Sequence, residues 1–244
     1  LAAAMGIPVA KHGNRSVSSK SGSADVLEKL GFAVQMSPQA AERALREIGI
    51  CFMFAPLFHQ SMRHVMPTRK ELGFRTCFNL LGPLTNPAGV KRQLVGVYSQ
   101  SLTELFASVL KQLGVERALV VASDDGLDEI SISAPTKVSE LRDGKVSTYQ
   151  ITPTMLGLPS HPLSSVAGGD ATDNAAIIRN TFAGDRGAPR DIVVANTAAV
   201  LYLTDRVDSL REGVRLAEQA LDDGTAMNKL NEMVAYTGGK EHVS

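Results

Sequence analysis

The segment 93–122 constrains the fold of this chain more than any other. Gln93–Tyr98 has the apolar character of a strand, and Ala118–Ala122 is a second short strand rich in valine. Between them, Ser101-Leu-Thr-Glu104 has capping-box spacing. Leu102, Leu105, Phe106, Val109, Leu110 and Leu113 then fall on one face of a helix that Gly114 ends. A strand, a helix and a strand in this order form a βαβ unit, with parallel strands and a right-handed crossover expected.

The rest of the chain extends this pattern. Ile7–Ala10 predicts a short strand. Ser23 is the expected N-cap of a helix carrying Val26, Leu27 and Leu30 and ending at Gly31. Ser37-Pro38 opens another, with Ala41, Ala44, Leu45 and Ile48 on one face and Gly49 as its stop. A further helix over Pro56–Leu72 would complete a helical stretch without strands. Asn79–Pro87 is rich in glycine, proline and asparagine and predicts a loop. Asp143-Gly144 suits the type I′ turn of a hairpin. Gly168-Gly169-Asp170 predicts a tight entry to a helix over Asn174–Phe182, Asp191–Ala195 a core strand, and Val207–Leu221 a helix with an apolar face. The expected class is α/β: a mostly parallel central sheet flanked by helices, with a small helical domain. Residues 1–36 and 75–244 form the expected α/β domain, and 37–74 contribute helices to the small one.

With 244 residues, 44% of them hydrophobic and 20% charged, the chain can bury an ordinary core. Its formal net charge is zero, so nothing draws it as a whole to nucleic acid or to an anionic membrane. No nucleic-acid partner is expected, and any anion site must be a local concentration of charge. Cys51 and Cys77 are not in metal-ligand spacing and read as free thiols of a reducing, cytoplasmic setting. No apolar run approaches a membrane span, and no signal sequence is evident. The opening Leu-Ala-Ala-Ala-Met reads as the interior of an apolar helix without a cap, so a preceding segment is expected.

Such a concentration of charge lies at 11–31. Lys11, Arg15, Lys20 and five serines share a glycine-containing loop that runs into a helix. Hydroxyls, backbone N–H groups, cationic side chains and a positive helix terminus suit a phosphate-rich ligand. The acidic run Asp124-Asp-Gly-Leu-Asp-Glu129 follows the strand 118–122. Beyond the C-terminal ends of parallel strands, where α/β sheets bind ligands, adjacent carboxylates can hold Mg²⁺ together with waters and phosphate oxygens. A solvated acidic turn is the other reading. Arg69 could grip a carboxylate bidentately or form a surface salt bridge with Glu71. His12 and His59 are open to either an acid–base or a structural role.

Several separated segments resemble the anthranilate phosphoribosyltransferase family of tryptophan biosynthesis. They are Val-Ala-Lys-His-Gly-Asn-Arg at 9–15, Ser-Gly-Ser-Ala-Asp at 21–25, Phe-Asn-Leu-Leu-Gly-Pro-Leu-Thr-Asn-Pro at 78–87, Asp-Gly-Leu-Asp-Glu-Ile-Ser at 125–131 and Asn-Ala-Ala at 174–176. The resemblance implies that Lys11, His12, Gly13, Asn14, Arg15, Ser16, Val17, Ser18, Ser19 and Ser23 bind phosphoribosyl pyrophosphate. It implies that Asn14 and Arg69 contact anthranilate and that Asp128 and Glu129 bind Mg²⁺. It further implies a nucleoside-phosphorylase-like fold with a small helical domain hinged to a larger α/β domain, and a homodimer. The family's glycine-rich pyrophosphate loop would precede Leu1. Rival readings are a pyrimidine-nucleoside phosphorylase, which lacks the His-Gly-Asn-Arg word, a nucleic-acid-binding relative, and an inactive truncated fragment.

Overall fold

The computed structural model describes residues 1–16, 20–59, 71 and 78–238. The chain divides into two compact units. One comprises Gly6–Gly89, Gly168–Ala176 and Asn228–Ser244; the other comprises Leu1–Met5, Val90–Ala167 and Ile177–Met227.

In the first unit, β1 (Val9–Gly13) leads to α1 (Ser23–Leu30) and α2 (Pro38–Ile48), and β2 (Ile50–Phe54) runs directly into α3 (Ala55–Phe58). β1 and β2 are parallel, in register from Val9 opposite Ile50 to Gly13 opposite Phe54. This pairing corrects two expectations. The stretch 37–74 is not free of strands, because Ile50–Phe54 pairs with β1. The first strand also extends past Ala10 through Lys11, His12 and Gly13, so the loop proper begins at Asn14. Residues 37–59 fall in the same unit as β1 and α1.

α2 starts and stops as its sequence predicts. The Ser37 hydroxyl accepts the Ala40 N–H at 3.2 Å, Pro38 occupies the first turn, and Gly49 closes the helix at φ 73°. Its buried Ala40, Ala41, Ala44 and Ile48 share a core with Phe32, Val34, Met36, Cys51, Phe52, Met53 and Met233. α4 (Phe78–Leu81) and a 3₁₀ turn at Gly82–Leu84 take up part of the expected loop.

In the second unit, β3 (Arg92–Gly96), α5 (Thr103–Gln112) and β4 (Arg117–Ser123) form the predicted βαβ unit, with β3 parallel to β4. The capping box does not form. A 3₁₀ turn at Gln100–Leu102 precedes α5, Ser101 pairs with Ser99, and Glu104 reaches Lys137 at 3.1 Å. β5 (Thr136–Arg142) and β6 (Lys145–Ile151) add antiparallel strands in the order β3-β4-β5-β6. Among the described strands, two of the three pairings in this sheet are therefore antiparallel, and it is less parallel than expected; β1 and β2 pair in a separate sheet. Asp143 at φ 51° and Gly144 at φ 70° make the predicted I′-type turn between Arg142 and Lys145.

After α6 (Pro153–Leu156) come α7 (Ala171–Phe182), α8 (Ala188–Leu203), α9 (Leu210–Asp222) and α10 (Thr225–Gly238). The expected strand Asp191–Ala195 is instead the second turn of α8. Val194, Ala195, Ala198, Ala199, Leu201 and Leu203 are all buried, so the helix has no broad polar face to reveal its period. α8 and α9 cross closely, since a Cβ on Gly213 would stand 2.9 Å from the Ala198 Cα. The buried Arg190 fastens them by donating to Asp222 at 2.7 Å and to the Glu218 carbonyl at 3.1 Å.

Candidate functional site

Parallel pairing brings the C-terminal ends of β1 and β2 side by side, where the loop toward α1 and the segment after β2 begin. The His12 and His59 rings meet edge to face, 4.6 Å between centroids, and the Nε2 atom of each is buried without a hydrogen-bond partner. Burial, and then the neighbouring His59, lower the His12 pKa to about 4, so His12 is neutral at physiological pH.

The loop after β1 is drawn closed by a side chain that sequence reasoning missed. The Asp25 carboxylate accepts the Gly22 N–H at 2.8 Å and the Ser16 N–H at 3.0 Å, tying both feet of the loop to the first turn of α1. These two bonds, and more weakly Arg15, hold the Asp25 carboxyl below the usual carboxylate range. Gly22, not Ser23, is the N-cap. The legible signal was Asp25 three residues beyond Gly22, the spacing at which an acidic side chain reaches back to a cap. Gly13 keeps the base of the loop narrow: a Cβ there would lie 3.0 Å from both the Phe52 ring and the Ser23 hydroxyl.

Other expected ligands are placed as follows. Lys11 and Lys20 are exposed. Asn14 accepts the Arg15 N–H on its Oδ1 at 2.8 Å. Arg15 donates to Glu28 at 2.5 Å and lies over the Phe54 ring at 5.5 Å, so its charge is already partnered. Val17, Ser18, Ser19 and Arg69 lie outside the described residues. Asn86 donates to the Ala10 carbonyl of β1 at 3.1 Å. Asn174 donates to Ser21 Oγ at 2.8 Å and accepts the Gly169 N–H at 3.0 Å, which ties the Gly168-Gly169 turn to the phosphate-type loop. The predicted helix entry is present there, with Asp170 Oδ1 capping the Thr172 and Asp173 amides.

The acidic run belongs to the other unit and begins where β4 ends. Its members differ in role. Asp125 turns inward and accepts from the Ser123 and Ser131 hydroxyls and, at 3.3 Å, from the Leu127 N–H. Burial pushes its pKa up, but these donors outweigh it and hold the carboxyl below its ordinary range. Asp124 is taken by Gln100. Asp128 lies against β3, where only glycine fits, since a Cβ on Gly96 would collide with the Asp128 carbonyl. Among the described residues, no three His, Cys, Asp or Glu side chains converge as a metal cage. Asp128 and Glu129 offer two adjacent hard oxygen donors on a fixed backbone. That set fits Mg²⁺, which keeps waters and takes phosphate oxygens rather than an all-protein cage.

A cavity of about 650 Å³ lies at the opposite, N-terminal ends of β3 and β4, lined by Arg92, Arg117, Arg142 and Asp205 among others. Arg92 and Arg117 are both paired with Asp205, so this cavity holds a closed ion-pair network away from the acidic run. No described helix is long and apolar enough to cross a membrane.

Comparison with known proteins agrees with this architecture. Residues 1–227 match the model of the glycosyl transferase family, a/b domain. The chain is 53% identical over all 244 residues to an anthranilate phosphoribosyltransferase of Brevibacillus brevis, covering 72% of that protein. It superposes on the crystal structure of anthranilate phosphoribosyltransferase from Thermus thermophilus with a TM-score of 0.91 at 42% identity, covering 98% of this chain and 71% of the other. The Saccharomyces cerevisiae enzyme in complex with PRPP and Mg matches with a TM-score of 0.86 at 29% identity, over 98% of this chain and 68% of the other. The chain belongs to the glycosyl transferase family and, within it, to the anthranilate phosphoribosyltransferases.

Proposed function

We propose that this chain transfers the 5-phosphoribosyl group of phosphoribosyl pyrophosphate to the amine of anthranilate, in tryptophan biosynthesis. The observation that carries the reading is the loop between β1 and α1, closed by Asp25 at the C-terminal end of a parallel strand, in a chain 53% identical to a transferase of that name. In this reading the segment Lys11–Ser19, with Ser23, holds the phosphates. Asn14 and Arg69 hold anthranilate.

The amine of anthranilate is neutral at pH 7, so its lone pair needs no general base before attack. The C1–O bond to pyrophosphate breaks and the leaving oxygen keeps the electron pair. The amine nitrogen forms the new C1–N bond and then gives one proton to the released pyrophosphate or to water. Positive charge gathers on the sugar ring and negative charge on pyrophosphate, so the protein's task is placement and electrostatics. In this reading Lys11, the loop amides and the serine hydroxyls stabilise the developing anion. Asp128 and Glu129 would hold Mg²⁺, which supplies further positive charge to the pyrophosphate oxygens. We also infer a homodimer, as the resemblance implies.

The test follows phosphorus resonances and anthranilate fluorescence together in one reaction with Mg²⁺. Pyrophosphate appearing in step with the loss of anthranilate supports the transfer. Pyrophosphate released while anthranilate persists overturns it.

A further inference from the structure

The acidic pair Asp128-Glu129 sits on a stretch of backbone that is pinned on both sides. On the N-terminal side, the Leu127 carbonyl accepts the Ser123 N–H at 3.0 Å, while Asp125 takes the Leu127 N–H. On the C-terminal side, the pin comes from a residue far along the chain. Asn196, midway along α8, accepts the Ile130 N–H on Oδ1 at 3.0 Å and donates from Nδ2 to the Ile130 carbonyl at 2.9 Å. The second proton of Nδ2 goes to the Ile192 carbonyl at 2.9 Å.

We propose that Asn196 is a positioning residue for the Asp128-Glu129 pair, gripping both backbone groups of the next residue so that the two carboxylates are held before Mg²⁺ arrives. This rests on the reading of that pair as the Mg²⁺ carboxylates. Only a carboxamide serves at 196. It supplies one acceptor and two donors, and all three meet a complementary group. Aspartate would place oxygen against the carbonyls of Ile130 and Ile192. Alanine would leave the N–H and C=O of the buried Ile130 without partners. With Leu127 and Ile130 fixed and Asp128 seated on Gly96, the pair has little backbone freedom left to lose on binding a cation. Partners that orient metal ligands commonly carry about ten- to a hundredfold in metal affinity.

The test uses the full chain and Mn²⁺ as the probe, with free Mn²⁺ read by electron paramagnetic resonance in the presence of phosphoribosyl pyrophosphate. Asn196→Ala and Asn196→Asp should each weaken Mn²⁺ binding about tenfold or more and raise the half-saturating Mg²⁺ for turnover by the same factor. The KM for anthranilate should stay unchanged. In an Asp128→Asn/Glu129→Gln background, Asn196→Ala should weaken Mn²⁺ binding no further, because the groups it positions are gone. Unchanged Mn²⁺ affinity in a folded Asn196 variant, or an undiminished effect in that background, overturns the assignment to Asn196 alone. If Asp128→Asn/Glu129→Gln itself binds Mn²⁺ as the parent does, the carboxylate reading falls and Asn196's part falls with it. Hydrogen exchange on the unmutated chain gives a check independent of folding in the variants. The Ile130 amide should be strongly protected without metal, and exchange at the rate of an open loop overturns the proposal.

Discussion

Gly22 and Ser16 stand so close that a methyl group on Gly22 would collide with the Ser16 amide nitrogen. The contact exists because Asp25 draws both amides onto one carboxylate, and it leaves no room for a side-chain carbon at Gly22. Gly22→Ala should force the feet of the loop apart at a cost of about 1–3 kcal/mol in stability. Displacing the loop donors should cost about a hundredfold in kcat/KM for phosphoribosyl pyrophosphate. Steady-state kinetics and a thermal melt measure both, and unchanged kinetics would show that loop closure is irrelevant to turnover.

Arg69→Ala should raise the KM for anthranilate and spare that for phosphoribosyl pyrophosphate. A charge-assisted bond to a carboxylate is worth roughly 1.5–3 kcal/mol, or about one to two decades in affinity. Varying each substrate at saturation of the other separates the two constants. A loss confined to the sugar substrate would place Arg69 on the wrong ligand.

His12 carries a pH signature. Its pKa falls from 6.5 to about 4 on folding, through burial first and His59 second. The unfolded chain therefore takes up a proton that the folded chain refuses. The stability in question is fully present above pH 6.5 and drains away as pH falls toward 4. His12→Gln should flatten this part of the profile, as read from urea midpoints across the same window. The lowered carboxyls of Asp25 and Asp125 act below their ordinary value of 3.8, so their losses come at more acid pH. Parallel profiles for parent and variant would mean that His12 titrates normally.

Cys51 is buried in the core of its unit, and burial raises its thiol to about 11. Only about one molecule in a thousand would be thiolate at pH 8, and that sulfur is shielded. In a Cys77→Ser background, a thiol-reactive disulfide reagent should modify Cys51 only as fast as the chain unfolds. Rapid labelling of the folded chain would contradict the packing around β2.

What could be read from the sequence depended on whether a residue's role was local. Ser37, Pro38 and Gly49 announce α2 through contacts within a few residues, and Asp143-Gly144 fixes its turn by backbone conformation alone. β2 was hidden because its apolar run Ile50–Phe54 directly follows a helix, and only its pairing with β1 makes it a strand. Burial on nearly all sides erases the period of α8, so its sequence does not distinguish it from a core strand. In the site, charged and hydroxyl side chains stood out by type and clustering. The residues that hold them did not: Asn86 acts across 76 positions and Asn196 across 66, and no local pattern marks such partners.

A Mg²⁺ titration of turnover tests most directly whether the carboxylates just beyond β4 organise a Mg²⁺-dependent transfer. Asp128→Asn/Glu129→Gln in the full chain should melt as the parent does. It should lose about a hundredfold or more in turnover at any Mg²⁺ concentration that saturates the parent. A double variant with the parent's rate and the parent's Mg²⁺ dependence would reduce Asp128 and Glu129 to a solvated turn and contradict the account.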